Sequence, residues 1–561
     1  MEEESDSADP VSYQNAIGHP RLGPKWSEAV REELHSLRSN YTWDYIKPED
    51  VPAGVNPISS RWVFKTKQLP GGGIRYKARL VIRGYEQTRG VNFDETFAPV
   101  AKFSSLRMLL ALAAIHDWEI DQMDVVTAFL NPEVDGDVYM AMPEGIEAGQ
   151  EAPAGGPWVC KLRKSLYGLK QAPRLWYEHI DNFLRSLGLL RSEYDPNVYI
   201  SAAGLIPLIL LLYVDDMLLF SESAERVSEL KKLLHAKYEM TDLGPIRQFL
   251  GLEIERDRKN RILYVHQSRY IHNLLATYGL SECNGHWTPQ PTSNRLRRLD
   301  TDTGNALDEN GKQKYQSIVG SLNWLMLGTR PDIAFTVSML SKFLSAPSSE
   351  HLAAATYTLR YLRNTSDLAI QYDTERHVER PTDLQTSDLR PIGFTDSDFA
   401  GDQDDRKSTS GYVFTLGNGA ISWRARKQPL VAFSTVEAEY IGASDAAKEA
   451  IWISSLFTRL LGLDAYPQEI FADNQGAIQL AKNPKFHERT KHIGVRYHFV
   501  RDACERNVIR TTYLPTSEMT ADIMTKSLPR ETHWKHVNGL GMVRWASGEA
   551  YGKRMALGPM K

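Results

Sequence analysis

Two adjacent carboxylates inside an apolar stretch constrain this chain more than any other feature. The segment Leu208-Ile-Leu-Leu-Leu-Tyr-Val-Asp-Asp-Met-Leu-Leu-Phe220 carries Asp215 and Asp216 near its centre. Burying one unpaired carboxylate is costly, and two like charges side by side are worse. The pattern therefore predicts two strands over 206–221 that meet at the acidic pair, which either sits at an exposed turn or binds cations. An ordinary hairpin tip would read Asn-Gly or Asp-Gly, and neither is present. A second element, Gln122-Met-Asp-Val-Val-Thr-Ala-Phe-Leu130, puts Asp124 at the end of another apolar stretch. Strand ends of one sheet can bring Asp124 to Asp215 and Asp216. Such a triad suits two Mg²⁺ ions ~3.5–4 Å apart, with Mn²⁺ as the substitute, the arrangement for in-line displacement at phosphorus. Asp124 alone reads more simply as a turn or cap residue; the two elements together carry the metal reading.

A further acidic set lies near the other end. Ile392-Gly-Phe-Thr-Asp-Ser-Asp-Phe-Ala-Gly401 reads as a strand ending at Asp396. Ser434-Thr-Val-Glu-Ala-Glu-Tyr-Ile441 opens a helix with Glu437 on its first turn. Glu469-Ile-Phe-Ala-Asp-Asn-Gln475 is a strand ending at Asp473, and Leu514-Pro-Thr-Ser-Glu-Met-Thr-Ala-Asp522 leads into a final helix carrying Asp522. Together these four carboxylates make a second two-metal site, for hydrolysis. Asp398 rivals Asp396, and Glu439 rivals Glu437. Taken singly, Glu437 is an acid favoured by a helix N-terminus, and Asp473 and Asp522 are caps.

At 561 residues the chain is long enough for two to four domains. An apolar fraction of 42% supports packed cores. The net charge of -4 decides nothing, so local charge matters more. Between Arg61 and Gly90 stand Arg61, Lys65, Lys67, Arg75, Lys77, Arg79, Arg83 and Arg89 against the single acid Glu86. Cys160 to Arg174 carries Lys161, Arg163, Lys164, Lys170 and Arg174 with no acid. Surface lysines are often only a solvated face, but clusters beside the first acidic site favour a track for phosphates. Cys160, Cys283 and Cys504 form no CxxC pair, which excludes a zinc ribbon and points to a reducing compartment. The acidic start is no secretory signal, and the longest apolar run, Leu205 to Leu212, is too short to span a bilayer, so no membrane partner is expected.

Along the chain, residues 1–20 read as disordered. A helix follows from Lys25, with Trp26, Ala29, Val30, Leu34 and Leu37 at helical spacing. Strands over 61–67 and 75–83 flank Pro70-Gly-Gly-Gly73 as a hairpin; no Gly-Lys-Ser/Thr follows, so this is not a phosphate loop. Helices are expected at 104–116, within 165–187, at 224–238 and over much of 315–363, and a strand around Phe249 to Ile254. Linkers are expected at 284–312 and 374–388, the clearest domain break near 385, and a tail at 541–561. Asp302-Thr-Gly304 lacks the apolar flanks of an aspartic-protease triplet. His487 and His492 are five apart, ~140° round a helix, and cannot share a metal face.

Here the motifs become specific. Tyr213-Val-Asp-Asp216 resembles the signature of reverse transcriptases. Tyr76-Lys-Ala-Arg-Leu-Val81, Glu95-Thr-Phe-Ala-Pro-Val100, Gln122 to Asn131, Leu166-Tyr-Gly-Leu-Lys-Gln-Ala-Pro-Arg174 and Phe249-Leu-Gly-Leu-Glu253 are similar, in family order, to the Pol region of copia-type LTR retrotransposons. The resemblance runs from roughly Trp26 to Leu540. It implies an α+β chain: a right-hand polymerase over 21–283, a helical thumb or connection over 313–373, and a ribonuclease H-like α/β domain with a mixed sheet over 389–540. Asp124, Asp215 and Asp216 would be the palm metal ligands. Asp396, Glu437, Asp473 and Asp522 would be the nuclease ligands. Phe129 would crowd a 2′-hydroxyl, where the plainer reading is a core aromatic. Lys77 and Arg79 would meet the nucleotide triphosphate, with Lys170 and Gln171 as further nucleotide contacts. Retroviral relatives carry Gln where Tyr167 stands, so that role is not transferred. They also carry a histidine shortly after the proline of the last loop, whereas Pro515 is followed by Thr516 and Ser517.

The implied activity is RNA-directed DNA synthesis with cleavage of RNA in the hybrid, acting on RNA template, DNA primer, RNA–DNA hybrid and dNTPs. Other products of the same polyprotein are expected partners. The implied location is cytoplasmic, in a virus-like particle, with the nucleus as the alternative. The rival reading is a decayed or co-opted copy that binds nucleic acid without catalysis, for which loss of a metal carboxylate would speak. A stand-alone polymerase with a merely structural C-terminal part would instead show a disrupted second acidic set.

Overall fold

The computed structural model describes residues 9–68, 73–146, 152–201, 207–293, 296–298, 305–374, 390–482 and 494–545. The apolar segment around Asp215 lies in a six-stranded antiparallel sheet. Its order is Met240–Pro245, Glu119–Val125, Asp216–Ser221, Leu208–Tyr213, Val198–Ser201 and Leu189–Arg191. On one face, Ile120, Ile209, Leu211, Leu218 and Phe220 join the core of helix Phe103–His116. On the other, Met123, Leu210, Leu212, Met217 and Leu219 meet Trp176, Ile180 and Leu184 of helix Ala172–Ser186, together with Val227, Leu230 and Leu234 of helix Ala224–Lys237. A sheet covered on both faces needs no polar alternation, which explains the unbroken apolar run.

The expected hairpin is formed by Ser60–Gln68 and Ile74–Ile82, with Lys65 opposite Lys77. Helix Gly23–Ser39 buries Trp26, Ala29, Val30, Leu34 and Leu37 in the same core. Trp26 meets Phe64 and Tyr76 edge-on. Residues 9–20 depart from the expected disorder. Ser12 caps a short helix, Tyr13–Ile17, and Asp9 accepts the Thr66 N–H at 2.8 Å and faces Lys65 at 3.4 Å.

The C-terminal α/β region holds the mixed five-stranded sheet that the sequence reading expected. Its order is Gly419–Lys427, Thr409–Leu416, Ile392–Ser397, Gln468–Ala472 and Ile509–Tyr513. The first three strands are antiparallel, and the last two run parallel to the third. Helix Thr435–Leu461 lies against it through Tyr440, Ala447, Ile453 and Phe457. The last expected helix differs: Asp522 sits in a 3-10 turn, Thr520–Met524, and the helix proper begins later, at Arg530.

A third sheet joins the two regions: Gln248–Phe249, Leu252–Asp257, Ile262–His266, Leu368–Tyr372 and Met542–Arg544. The strand expected over 249–254 is interrupted because Leu250 and Gly251 both adopt positive φ. Met542–Arg544, expected as tail, pairs with Leu368–Ile370, burying Met542; residues 546–561 lie outside the described residues. The expected linker 284–312 is partly packed structure. Trp287 meets Trp534, Thr358 donates to the Pro289 carbonyl, and Asp308 caps a helix that begins at Glu309. Of the second expected linker, 375–388 falls outside the described residues.

The break expected near residue 385 does not divide the packing. One apolar cluster holds Leu106, Leu218, Phe414, Phe457 and Met542 together. Arg107 rivets this junction. Its Nε donates to the Ile421 carbonyl at 2.8 Å and its Nη1 to the Leu327 and Gly328 carbonyls at 2.8 and 2.9 Å. Its guanidinium lies 3.8 Å from the centre of the Trp423 ring. Burial lowers its pKa to about 10, so it stays charged at neutral pH.

Candidate metal and nucleic-acid sites

Strand register builds the first acidic site. Asp216 pairs directly with Asp124 across neighbouring antiparallel strands. Side chains so placed have Cβ atoms ~4.5–5.5 Å apart, and like charges there repel. Asp215 is held at the tip because its carbonyl accepts the Val125 N–H at 3.0 Å. Asp124 and Asp216 thus stand side by side, and Asp215 lies close enough to act on the charge of both. Burial, then Asp215 and Asp124, push the Asp216 carboxyl up to about 6; burial and Asp215 raise Asp124, against the pull of Lys77, Lys67 and Arg79.

The tip itself is strained. Val214 has φ of 58°, a region that β-branched residues avoid. The indole of Trp176 donates to the Val214 carbonyl at 2.6 Å and fixes this geometry. Sequence reading missed Trp176, since a tryptophan on an amphipathic helix looks like any core residue.

The basic residues behave differently from one another. Lys77 and Arg79 lie on strand Ile74–Ile82 facing the acidic site, whose charges they influence. The Arg79 guanidinium sits 4.5 Å from the centre of the Tyr167 ring, and Tyr167 meets Phe129 edge-on at 5.0 Å. Phe129 is partly buried and packs against two apolar clusters, as the core reading expects. Gln171 is a correction: it is 0% exposed, and its amide bridges Gln87 and the Asn92 carbonyl at 2.9 Å each. An amide so enclosed holds a loop and cannot reach a nucleotide. Lys170 serves the same loop, donating to the Gln87 carbonyl at 3.1 Å over the Phe93 ring.

The second acidic site draws on four segments. Asp396, Glu439 and Asp473 each offer an oxygen within 4.8 Å of the others. Glu439, not Glu437, is therefore the helix carboxylate of this cluster. Glu437 turns back to accept the Phe433 N–H at 2.8 Å, in the helix-capping role. Asp396 rather than Asp398 joins the cluster; Asp398 accepts the Thr409 N–H instead. Glu439 is 8% exposed, beside Ala443, Ile470 and Ala472, and its Oε2 has no hydrogen-bond partner. Burial, then Asp396 and Asp473, push its carboxyl up to about 10. Asp522 stands beside the triad; burial and Asp396 push it up to about 7. Lys526, unnoticed in the sequence, lies 3.0 Å from Asp522 and 3.6 Å from Asp396.

Both sites carry the donor type that divalent cations take, and Asp396, Glu439 and Asp473 of the second also converge as a ligand set. Carboxylate oxygens are hard donors suited to Mg²⁺ or Mn²⁺. Raised proton affinity is what crowded, part-buried anions display until a cation neutralises them, and Glu439, a member of the second cluster, has one oxygen without a hydrogen-bond partner.

Comparison with known proteins gives the family. Residues 40–292 match the family model described as reverse transcriptase (RNA-dependent DNA polymerase). The chain is 41% identical over 534 residues to the retrovirus-related Pol polyprotein from transposon TNT 1-94 of Nicotiana tabacum, covering 94% of this chain and 38% of that one. It is 36% identical to the corresponding polyprotein from transposon RE1 of Arabidopsis thaliana, over 93% and 34%. It is 34% identical to the putative transposon Ty5-1 protein of Saccharomyces cerevisiae, over 58% of this chain and 100% of that protein. The chain belongs to the reverse transcriptase family of copia-type retrotransposon Pol proteins. It spans 38% and 34% of the length of the two polyproteins. Among solved structures, a foamy viral protease–reverse transcriptase in complex with double-stranded DNA aligns with a TM-score of 0.46 at 13% identity, over 88% of this chain and 70% of that one.

Proposed function

We propose that this chain extends a DNA primer on an RNA template at Asp124, Asp215 and Asp216, and cuts the RNA of the resulting hybrid at Asp396, Glu439, Asp473 and Asp522. The register that sets Asp216 against Asp124, with Asp215 at the adjoining tip, carries the reading. Divalent ions, Mg²⁺ by preference, would supply Lewis acidity at both sites when bound. The three palm carboxylates would hold them and orient the primer terminus. Lys77 and Arg79 would bind the triphosphate of a dNTP, and Phe129 with Tyr167 would floor the pocket beneath its sugar. Lys65, Lys67 and Arg75 on the same hairpin would track the template–primer backbone. At the second site the 2′-hydroxyl of the RNA strand would distinguish hybrid from duplex DNA. The setting proposed for this work is a cytoplasmic particle shared with other products of the same polyprotein.

The test is extension of a labelled DNA primer on an RNA template with dNTPs and Mg²⁺, run beside cleavage of a labelled RNA–DNA hybrid. Mg²⁺-dependent extension and cleavage are expected. Absence of both from folded protein would overturn the reading in favour of a copy that only binds nucleic acid.

A further inference from the structure

The second acidic site is not evenly built. Asp396, Glu439 and Asp473 converge within 4.8 Å, while Asp522 stands outside that group, on the side where Lys526 lies. Asp396 and Asp522 are 2% and 5% exposed, so both are deep anions. Lys526 Nζ reaches Asp522 Oδ1 at 3.0 Å and Asp396 Oδ2 at 3.6 Å. The same Asp396 Oδ2 accepts the Thr525 hydroxyl, so the turn that carries Lys526 is tied to this oxygen. On the other side, the buried Oε2 of Glu439 has no hydrogen-bond partner. Asp522 Oδ1 likewise lacks a hydrogen-bond partner and meets the ammonium only as an ion pair, so the asymmetry is one of charge: Lys526 lies against Asp396 and Asp522.

We infer that Lys526 is a built-in cation of the ribonuclease H-like site, filling the Asp396–Asp522 half. The free chain then takes up one divalent ion, at Asp396, Glu439 and Asp473. A second ion enters only when Lys526 leaves. This rests on the nuclease reading of the site. A divalent ion bridging Asp396 and Asp522 would need the oxygens that the ammonium now contacts, and the two cations repel at such range. Departure is open to the lysine: its side chain is 38% exposed on a flexible stem. A scissile phosphate arriving at the cluster offers the ammonium another anion, so substrate itself would clear the second position. Lys526 is a positioning residue here, acting through the carboxylates.

The test is Mn²⁺ stoichiometry of the full chain by calorimetry, without nucleic acid, in a background of Asp215→Asn that weakens the polymerase site equally in every sample. Unaltered Lys526 and Lys526→Arg are expected to bind one ion at the second site, and Lys526→Met two. The Mg²⁺ concentration for half-maximal hybrid cleavage should fall about tenfold in Lys526→Met, the shift expected for ~1.4 kcal/mol of relieved repulsion. Lys526→Gln provides a second neutral variant, and thermal melting confirms that each is folded. Equal stoichiometry and equal half-saturation in Lys526→Met, Lys526→Gln and the unaltered chain, with cleavage present, would overturn the proposal alone. No Mn²⁺ uptake at the second site and no cleavage in any sample would overturn the nuclease reading with it.

Discussion

The two acidic sites solve one electrostatic problem in opposite ways. At the first, carboxylates are crowded by backbone register: Asp124 opposes Asp216, and Asp215 closes the tip. The basic residues acting on them, Lys77, Lys67 and Arg79, work from a neighbouring hairpin. At the second, carboxylates from separate segments are buried more deeply, and Lys526 is in contact with two of them. At the first site no ion pair ties the three carboxylates to a basic side chain among the ion pairs of the described residues. The second is partly self-neutralised. Crowding by register is cheap to encode locally, whereas crowding by tertiary packing requires a matched counter-charge.

The largest expected effect separates the two helix acids of the second site. Glu439→Gln should lower hybrid cleavage about 10³-fold, roughly 4 kcal/mol on the barrier. Glu437→Gln should leave cleavage within a few-fold and cost about 1 kcal/mol of stability through the cap. Equal losses from both, in a steady-state cleavage assay, would return the ligand role to Glu437.

Next is the junction on which both sites depend. Arg107→Met strands the buried carbonyls of Ile421 and Gly328 and frees that of Leu327, and should destabilise the chain by about 3 kcal/mol, read from urea midpoints. Extension and cleavage should decline together on warming. Loss of one activity alone would mean that the two regions are packed less interdependently than the shared core implies.

A smaller effect tests the strained tip. Trp176→Phe keeps the ring but removes the donor to Val214, a change of about 1–1.5 kcal/mol. Extension should fall about tenfold while cleavage is unchanged. Unaltered extension would show that the tip holds its φ without the indole.

The remaining effect is one of pH. A carboxyl whose pKa is higher folded than unfolded binds more protons when folded, so stability falls as pH rises. Asp216 rises from 3.8 to about 6, Asp522 from 3.8 to about 7, and Glu439 from 4.5 to about 10. Metal-free protein should therefore lose melting temperature from about pH 4 towards pH 10, and excess Mg²⁺ should remove most of that slope. The same slope with and without Mg²⁺ would argue that neither cluster takes up the ion.

The contrast also explains what the sequence could tell. Asp215 and Asp216 are adjacent, and an apolar run on either side makes their strands and their meeting point readable. Asp124 needed only neighbouring strands in one sheet. The second site is assembled from four distant segments, where helix phase decides which acid faces inward. Glu439 lies ~200° round the helix from Glu437. A signal existed: Ser434-Thr-Val-Glu437 has capping-box spacing, which assigns Glu437 to the helix end. Gln171 was misread because a buried amide and a ligand-binding amide are identical in sequence. The junction was illegible for a related reason: the apolar helix Phe103–His116 looks the same whichever sheet it faces. Lys526 was visible as Asp522-x-x-x-Lys526, a spacing common on solvated surfaces.

The central claim is that one chain holds two independent phosphoryl-transfer sites, and crossed single substitutions test it most directly. Primer extension on RNA and cleavage of RNA–DNA hybrid are measured for Asp215→Asn and Asp473→Asn in the full chain. Asp215→Asn is expected to abolish extension and keep cleavage, and Asp473→Asn to do the reverse. Survival of both activities in both variants, or loss of both in either folded variant, would contradict it.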